Sequence, residues 1–116
     1  MLNLNIRRNK WILFRDTKDN DRIIFKFRII ELGPEKSWIT LDWVGSSGKI
    51  NSDGSMTIKV GEMRSFSHLR DSPITLLTMI HIKYIHGLTN GARANIGILA
   101  HKEIKITQED RENRAK

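Results

Sequence analysis

The sequence predicts a small all-β protein, an antiparallel barrel or sandwich, and three observations support this fold class. Apolar and polar residues alternate with a period of two along most of the chain. Clusters of glycine, proline, asparagine, aspartate and serine separate these short segments. The pattern also recurs after 57 residues, which indicates an internal repeat. The 116 residues suffice for one domain or for two very small ones.

The expected strands follow one another along nearly the whole chain. They lie at residues 2–6, 11–14, 23–29, 38–44, 56–60, 74–85, 94–99 and 103–107. Turn-forming residues separate them at 16–20, 33–34, 45–48, 52–55, 71–73 and 87–91. Only the C-terminus indicates a helix, because Thr107 can cap residues 108–114 and Asp110 completes a capping box.

The internal repeat relates the two halves of the chain. At an offset of 57 residues, Ile23, Phe25, Phe27, Ile39 and Leu41 coincide with Ile80, Ile82, Tyr84, Ile96 and Ile98. A looser match places Leu2, Leu4 and Ile6 over Met56, Ile58 and Val60. Two unrelated β-hairpins with similar loops would align in the same way, so duplication is one of two explanations.

The composition favours a polyanionic partner. Lys and Arg number 20 against 13 Asp and Glu, a net charge of +7. Nucleic acid is the commonest partner of such a chain, although membranes and acidic proteins also attract basic domains. The absence of cysteine excludes disulfides and thiolate chemistry and is compatible with a cytoplasmic protein. No segment is apolar over the roughly 18 residues that a membrane span needs, so we expect no membrane insertion.

No motif for catalysis or metal binding stands out. The four histidines have no metal-ligand spacing, and His81 and His86 face opposite sides of a strand. The chain contains no nucleophile elbow, phosphate loop or dinucleotide fingerprint. We therefore expect no enzyme activity, no metal and no cofactor.

The three tryptophans are either core residues or surfaces on which bases stack. Trp38 and Trp43 lie on opposite faces of one expected strand, since they are an odd number of residues apart. We expect Trp43 to face the core or an interface and Trp38 to be free for a partner contact.

Motifs in both halves resemble one known family. In the second half a strand ends in Gly87, a Gly/Asn loop follows, and residues 96–104 are Ile-Gly-Ile-Leu-Ala-His-Lys-Glu-Ile. The N-terminal strand leads into the pair Arg7-Arg8, and Gly61-Glu62 follows the strand at 56–60. This arrangement resembles the carbon storage regulators (CsrA/RsmA), in which a first strand carries paired arginines and third to fifth strands precede a short helix.

The resemblance implies two such units fused in tandem, at residues 1–54 and 55–116. Because the family works as an intertwined dimer, the fused units would form one compact pseudo-dimeric domain. This pseudo-dimer would be a monomer or would pair into a homodimer. In the first unit the fifth strand has shrunk to residues 49–51 and the helix is absent. One of the two RNA sites of a normal dimer is therefore expected to be lost or remodelled.

The resemblance also implies where RNA binds. The family recognises GGA in a hairpin loop, of an mRNA leader or a small RNA, where the first strand of one unit meets the fifth strand of the other. In this chain the candidate RNA-binding residues are Leu4, Asn5, Arg7, Arg8, Lys102, Ile104, Lys105, Ile106, Thr107 and Gln108. The arginines can fork onto phosphate or guanine, the lysines can hold phosphate, and the backbone near Thr107 and Gln108 can recognise unpaired bases.

Two departures from the family pattern bear on function. His101 stands where the family usually has proline, and Gln108 replaces an arginine that contacts RNA in the family. The leading hypothesis is an RNA-binding translational regulator without enzyme activity. The alternatives are a protein-interaction module that has lost RNA binding, and a structural β-protein whose basic surface holds nucleic acid without sequence preference.

Overall fold

The computed structural model describes residues 2–33, 37–47, 50–69, 75–87 and 93–109. Within these residues the chain forms nine strands and no helix, which confirms the all-β prediction. In chain order the strands are β1 (Leu2–Arg7), β2 (Ile12–Asp16), β3 (Arg22–Leu32), β4 (Trp38–Ser47), β5 (Ile50–Lys59), β6 (Met63–Leu69), β7 (Thr75–His86), β8 (Arg93–Ala100) and β9 (Ile104–Gln108).

The strands form two antiparallel sheets that exchange strands between the two halves of the chain. One sheet, called the four-stranded sheet, has the order β1-β8-β7-β6. The other, called the five-stranded sheet, has the order β5-β4-β3-β2-β9. The N-terminal strand β1 thus joins three strands of the second half, while β5 and β9 flank three strands of the first half. The sheets pack face to face without closing, so the sandwich alternative is the correct one.

The two halves share the same irregularities as well as the same strand order. The N–H of Asn9, in the turn after β1, donates to the carbonyl of Ile29 at 2.7 Å. The N–H of Gly61, in the turn after β5, donates to the carbonyl of Ile82 at 2.6 Å. Both acceptors come directly before a β-bulge, in β3 and in β7 respectively. The two halves therefore have the same turn, the same backbone hydrogen bond and the same bulge at corresponding positions.

The structural correspondence corrects the repeat that the sequence predicts. Ile29 corresponds to Ile82, an offset of 53 residues, and Asn9 corresponds to Gly61, an offset of 52. The predicted offset of 57 is therefore wrong by four residues in β3. A slip by an even number keeps every side chain on the same face of a strand, so alternation alone could not detect it.

Three predicted boundaries differ from the structure. The turn expected at 52–55 is part of β5. Residues 45–47, also expected to turn, extend β4. Thr107 and Gln108, expected to begin a helix, pair with β2 as the end of β9. The rest of that helix, at 110–114, lies outside the described residues.

A single apolar core fills the space between the sheets. Its fully buried side chains alternate along the strands and include Phe14, Phe27, Leu41, Ile80 and Ile96. Trp43 packs against this core and contacts Phe66 of the opposite sheet with ring centroids 6.0 Å apart, as expected. Trp38 is partly buried on the other face of β4, where a side chain at Gly33 would overlap its ring. In the part of the chain that the structure describes, no helix could cross a membrane.

Candidate nucleic-acid interface

Strands β1 and β9 line the same two hollows at one edge of the sandwich, although they belong to different sheets. Leu2 of β1 lines a hollow of about 290 Å³ together with Ile104 and Ile106 of β9. Asn5 and Arg7 line a second hollow together with Gln108. The start of β1 is therefore next to the start of β9, and the two ends are also neighbours. We call this edge the β1–β9 seam.

The second hollow is a basic groove, formed by Asn5, Arg7, Lys10, Arg93 and Gln108, with a volume of about 270 Å³. Arg7 lies directly opposite Arg93 in the pairing of β1 with β8. Like charges in such a position destabilise a sheet unless an anion lies between them. None of the three cations forms an ion pair within the described residues. The groove therefore concentrates three positive charges that the described part of the protein does not neutralise.

Side-chain hydrogen bonds along β1 set the orientation of the Asn5 amide in the groove. The Asn95 side chain donates from Nδ2 to Asn5 Oδ1 at 3.0 Å, and His86 Nε2 lies 3.4 Å from the same oxygen. Two residues earlier on β1, Lys83 Nζ donates to Asn3 Oδ1 at 3.2 Å. Because the carbonyl oxygen of Asn5 is engaged within the sheet, its amino group is the part left to donate to a ligand.

Three of the predicted RNA-binding residues direct their side chains into the protein. Ile104 is only 8% exposed, and Leu4 and Ile106 are partly buried against the core. Leu4 therefore offers a ligand little side-chain surface, and Ile104 and Ile106 offer only the parts that line the apolar hollow. β1 and β9 are edge strands, however, and in the described part of the chain no further strand pairs with their outer edges. These edges present backbone N–H and C=O groups along the seam.

The remaining predicted residues are distributed around the groove. Asn5, Arg7 and Gln108 line it, whereas Arg8 is exposed in the turn that follows β1. Lys102 lines the neighbouring apolar hollow. Lys105 is exposed on β9, opposite Arg15 of β2. Thr107 lies opposite Leu13 of β2, and its Oγ1 is buried.

The sequence interpretation missed Lys10 and Arg93, which supply two of the groove's three cations. Lys10 follows the paired arginines in the turn between β1 and β2, and its charge was a signal that could have been used. Arg93 comes from the second half of the chain and reaches the groove only because β8 pairs with β1. No spacing along the sequence indicates that pairing.

A second group of basic and aromatic residues lies beside the groove, on the outer face of the five-stranded sheet. Lys26 Nζ lies 4.5 Å from the centroid of the Trp11 ring, and Arg28 Cζ lies 4.7 Å from it. Arg28 also pairs with Asp42 at 3.2 Å. Cations at such distances are held by the electron-rich face of the indole.

Neither a metal centre nor a relative suggests another function. The described residues include no group of three histidines or carboxylates that could hold a metal ion. No protein-family model matches the chain, and no curated protein or solved structure matches it either. Function is therefore inferred from the residues of the seam themselves.

Proposed function

We propose that this chain is a translational regulator that binds single-stranded or hairpin-loop RNA containing GGA in the groove of the β1–β9 seam. The observation that supports it is the meeting of Arg7, Lys10 and Arg93, without an ion pair in the described structure, beside the amides of Asn5 and Gln108. The protein would act by binding and not by catalysis, because covering a ribosome-binding site blocks the ribosome by occlusion.

Each part of the groove has a chemical role in this proposal. The guanidinium groups of Arg7 and Arg93 form two parallel hydrogen bonds to phosphate or to a guanine edge. Lys10 contributes a point charge for the backbone. The amide of Gln108 and the edge of β9 hydrogen-bond to the Watson–Crick edges of bases that are not paired. Specificity for loops follows, because a duplex hides those edges.

The strand order is a second support for a regulator of the CsrA type. Each three-stranded meander, β2-β3-β4 or β6-β7-β8, is flanked by a strand that comes from the other half of the chain. The family resemblance implies such an exchange between two units. It also implies a site between the first strand of one unit and the last strand of the other, which here are β1 and β9.

A chain of this design would have one RNA site and not two. At the corresponding place in the other half, Lys59 takes the position of Arg7, Glu62 that of Lys10, and Trp38 that of Arg93. A hydrogen bond from the Lys59 N–H, together with nearby Arg64, lowers the pKa of Glu62, which is therefore ionised at neutral pH. In the described residues, moreover, β6 has no strand on the edge where β2 has β9. We expect one RNA per chain.

Fluorescence anisotropy with a labelled hairpin tests this function. A GGA loop and a CCA loop are titrated at two salt concentrations against the native chain and against Arg7→Gln and Arg93→Gln. Each variant should weaken GGA binding about tenfold or more, because a hydrogen bond to a charged group contributes roughly 1.5–3 kcal/mol. Arg22→Gln is the matched control, since it removes the same charge from an exposed ion pair. Arg22 begins β3 and pairs with Asp19 in the preceding turn, at the end of β2 opposite the groove.

The outcomes separate the proposed functions. Preference for GGA, lost in Arg7→Gln but kept in Arg22→Gln, supports the regulator. Equal binding of both loops that collapses at high salt would indicate a nonspecific basic surface. Equal losses in Arg7→Gln and Arg22→Gln would show that the groove is not the site.

A protein-interaction role is the second candidate, and the outer face of the four-stranded sheet favours it. Met63, Leu77 and Leu99 are 44–45% exposed there, on three neighbouring strands. Exposed apolar patches of this kind are often contact surfaces for proteins. A folded chain that binds neither hairpin would favour this role over RNA binding.

A further inference from the structure

Trp11 connects the groove of the β1–β9 seam to a third hollow, on the outer face of the five-stranded sheet. Its carbonyl accepts a hydrogen bond from the N–H of Glu109, the residue after Gln108, at 2.9 Å. Its chain neighbour Lys10 lines the groove, while Trp11 itself lines a hollow of about 510 Å³. A polymer that leaves the groove past Lys10 or Gln108 therefore reaches Trp11 next.

This third hollow is larger than the groove and has a different lining. Arg28, Asp42, Trp43, Val44, Gly54 and Ser55 line it together with Trp11. Val44 is 42% exposed, and Gly54 contributes no side chain to fill the space. The hollow thus combines apolar surface with hydrogen-bonding groups at its sides, which suits a planar polar ring.

The charge around Trp11 favours a nucleotide as the occupant. Lys26 and Arg28 are two residues apart on β3 and so lie on the same face of the sheet as Trp11. Asp42 neutralises Arg28, but Lys26 forms no ion pair within the described residues. An aromatic ring beside a cation that no carboxylate neutralises is the combination by which single-strand binders hold a base and its phosphate. Because Lys26 Nζ lies over the Trp11 ring, a base that stacks on that face would take its place there.

We propose that Trp11, with Lys26 and Arg28, is a stacking site for an unpaired nucleotide that flanks the sequence bound in the groove. This inference rests on the RNA-binding function proposed above and extends the same site onto the outer face of the five-stranded sheet. Target RNAs would then be selected by a single-stranded flank as well as by the loop sequence.

Two hairpins and three variants test this site. One hairpin carries GGA in its loop and has a blunt stem. The other carries the same GGA loop and, in addition, a single-stranded purine segment that flanks the loop. The native chain should bind the second about tenfold more tightly. Trp11→Leu, which keeps an apolar side chain, should lose this gain and bind both RNAs as the native chain binds the blunt hairpin. Trp11→Phe should keep most of the gain, since phenylalanine also stacks.

Trp38→Leu is the matched control, because Trp38 is partly buried but lines neither hollow. It should leave both affinities unchanged and retain the fluorescence quenching that we expect Trp11 to show when it stacks on the flanked RNA. If Trp11→Leu retains the full gain, or if the flank adds nothing in the native chain, the stacking site is refuted while the groove stands. If the native chain binds neither hairpin, both proposals fail together.

Discussion

His68 is a titratable residue that the core holds in its neutral form. It is 2% exposed, and its ring lies 5.0 Å from the Phe25 ring and 6.4 Å from the Phe14 ring, between centroids. Its hydrogen bond is to Thr78 Oγ1, at 3.1 Å from Nε2. Burial lowers the pKa of His68 from 6.5 to about 4. A neutral imidazole satisfies this site, and a protonated one does not.

The protein should therefore lose stability as the pH falls from about 6.5 to about 4. In that range the unfolded chain binds a proton at His68 and the folded chain does not, so protonation favours unfolding. The free energy of unfolding should fall by roughly 1 kcal/mol per pH unit, and this contribution should level off below pH 4. Urea unfolding across this range measures it, with His68→Gln as the reference that removes the titration. Parallel pH curves for the two proteins would contradict the assignment.

At the scale of single residues, the sequence was most informative about side chains whose role depends on strand alternation. Trp43 was placed correctly because inward and outward positions alternate along β4. The residues of the groove were predicted less completely, since only Asn5, Arg7 and Gln108 of the predicted set line it. Arg93 could not be predicted, because its place opposite Arg7 depends on a pairing between strands from different halves.

Among the elements, the turns after β1 and β5 carry the most specific conformational requirement. Asn9 has a φ of 67° and Gly61 a φ of 90°, and each directs its N–H to the carbonyl that precedes a bulge. These turns aim the first strand of each half across to the other sheet. Glycine and asparagine are the residues that adopt such a φ most readily.

Gly61→Ala should destabilise the fold by about 1–2 kcal/mol, the cost of a left-handed conformation for a residue with a Cβ. Apart from the adjacent residues of the chain, no atom lies within 4 Å of the position of that Cβ, so the loss would come from the backbone conformation alone. Gly61→Asn should cost less, because asparagine occupies the corresponding turn at position 9. Denaturant unfolding of the three proteins measures the difference. Equal losses for alanine and asparagine would argue against conformational strain as the cause.

Eight of the nine strands that the structure describes were predicted and β6 was not, and the ends of the predicted strands were less accurate than their positions. Residues 52–55 contain Ser, Asp and Gly and favour a turn, yet they extend β5 because β4 offers a complete edge for pairing. In the same way Thr107 and Gln108 have a helix-capping sequence but continue β9 along β2. In both cases a tertiary pairing overrides a local preference, which a single sequence does not reveal.

For the molecule as a whole, the exchange of strands makes each half depend on the other. The four-stranded sheet needs β1 from the first half, and the five-stranded sheet needs β5 and β9 from the second. The alternation pattern predicted the fold class, but it could not predict this exchange, because the pattern of each strand is compatible with either neighbour. The two halves nevertheless differ in one respect. The second half supplies the five strands β5 to β9, whereas the first half supplies β1 to β4 and has no counterpart of β9 within the described residues.

This asymmetry predicts the behaviour of two fragments. Residues 50–116 contain β5 to β9, a complete set, so two copies can exchange strands with each other. β5 of one copy would pair with β8 of the other, in the place of β1, and its β9 would pair with the β6 of the other. We expect this fragment to form a folded homodimer, and residues 1–49, without a counterpart of β9, to remain largely unfolded. Sedimentation and circular dichroism measure both. A fragment 50–116 that folds as a monomer would show that its β5 and β9 find partners within their own half. In that case the strand exchange would not be what joins the two halves of the intact chain.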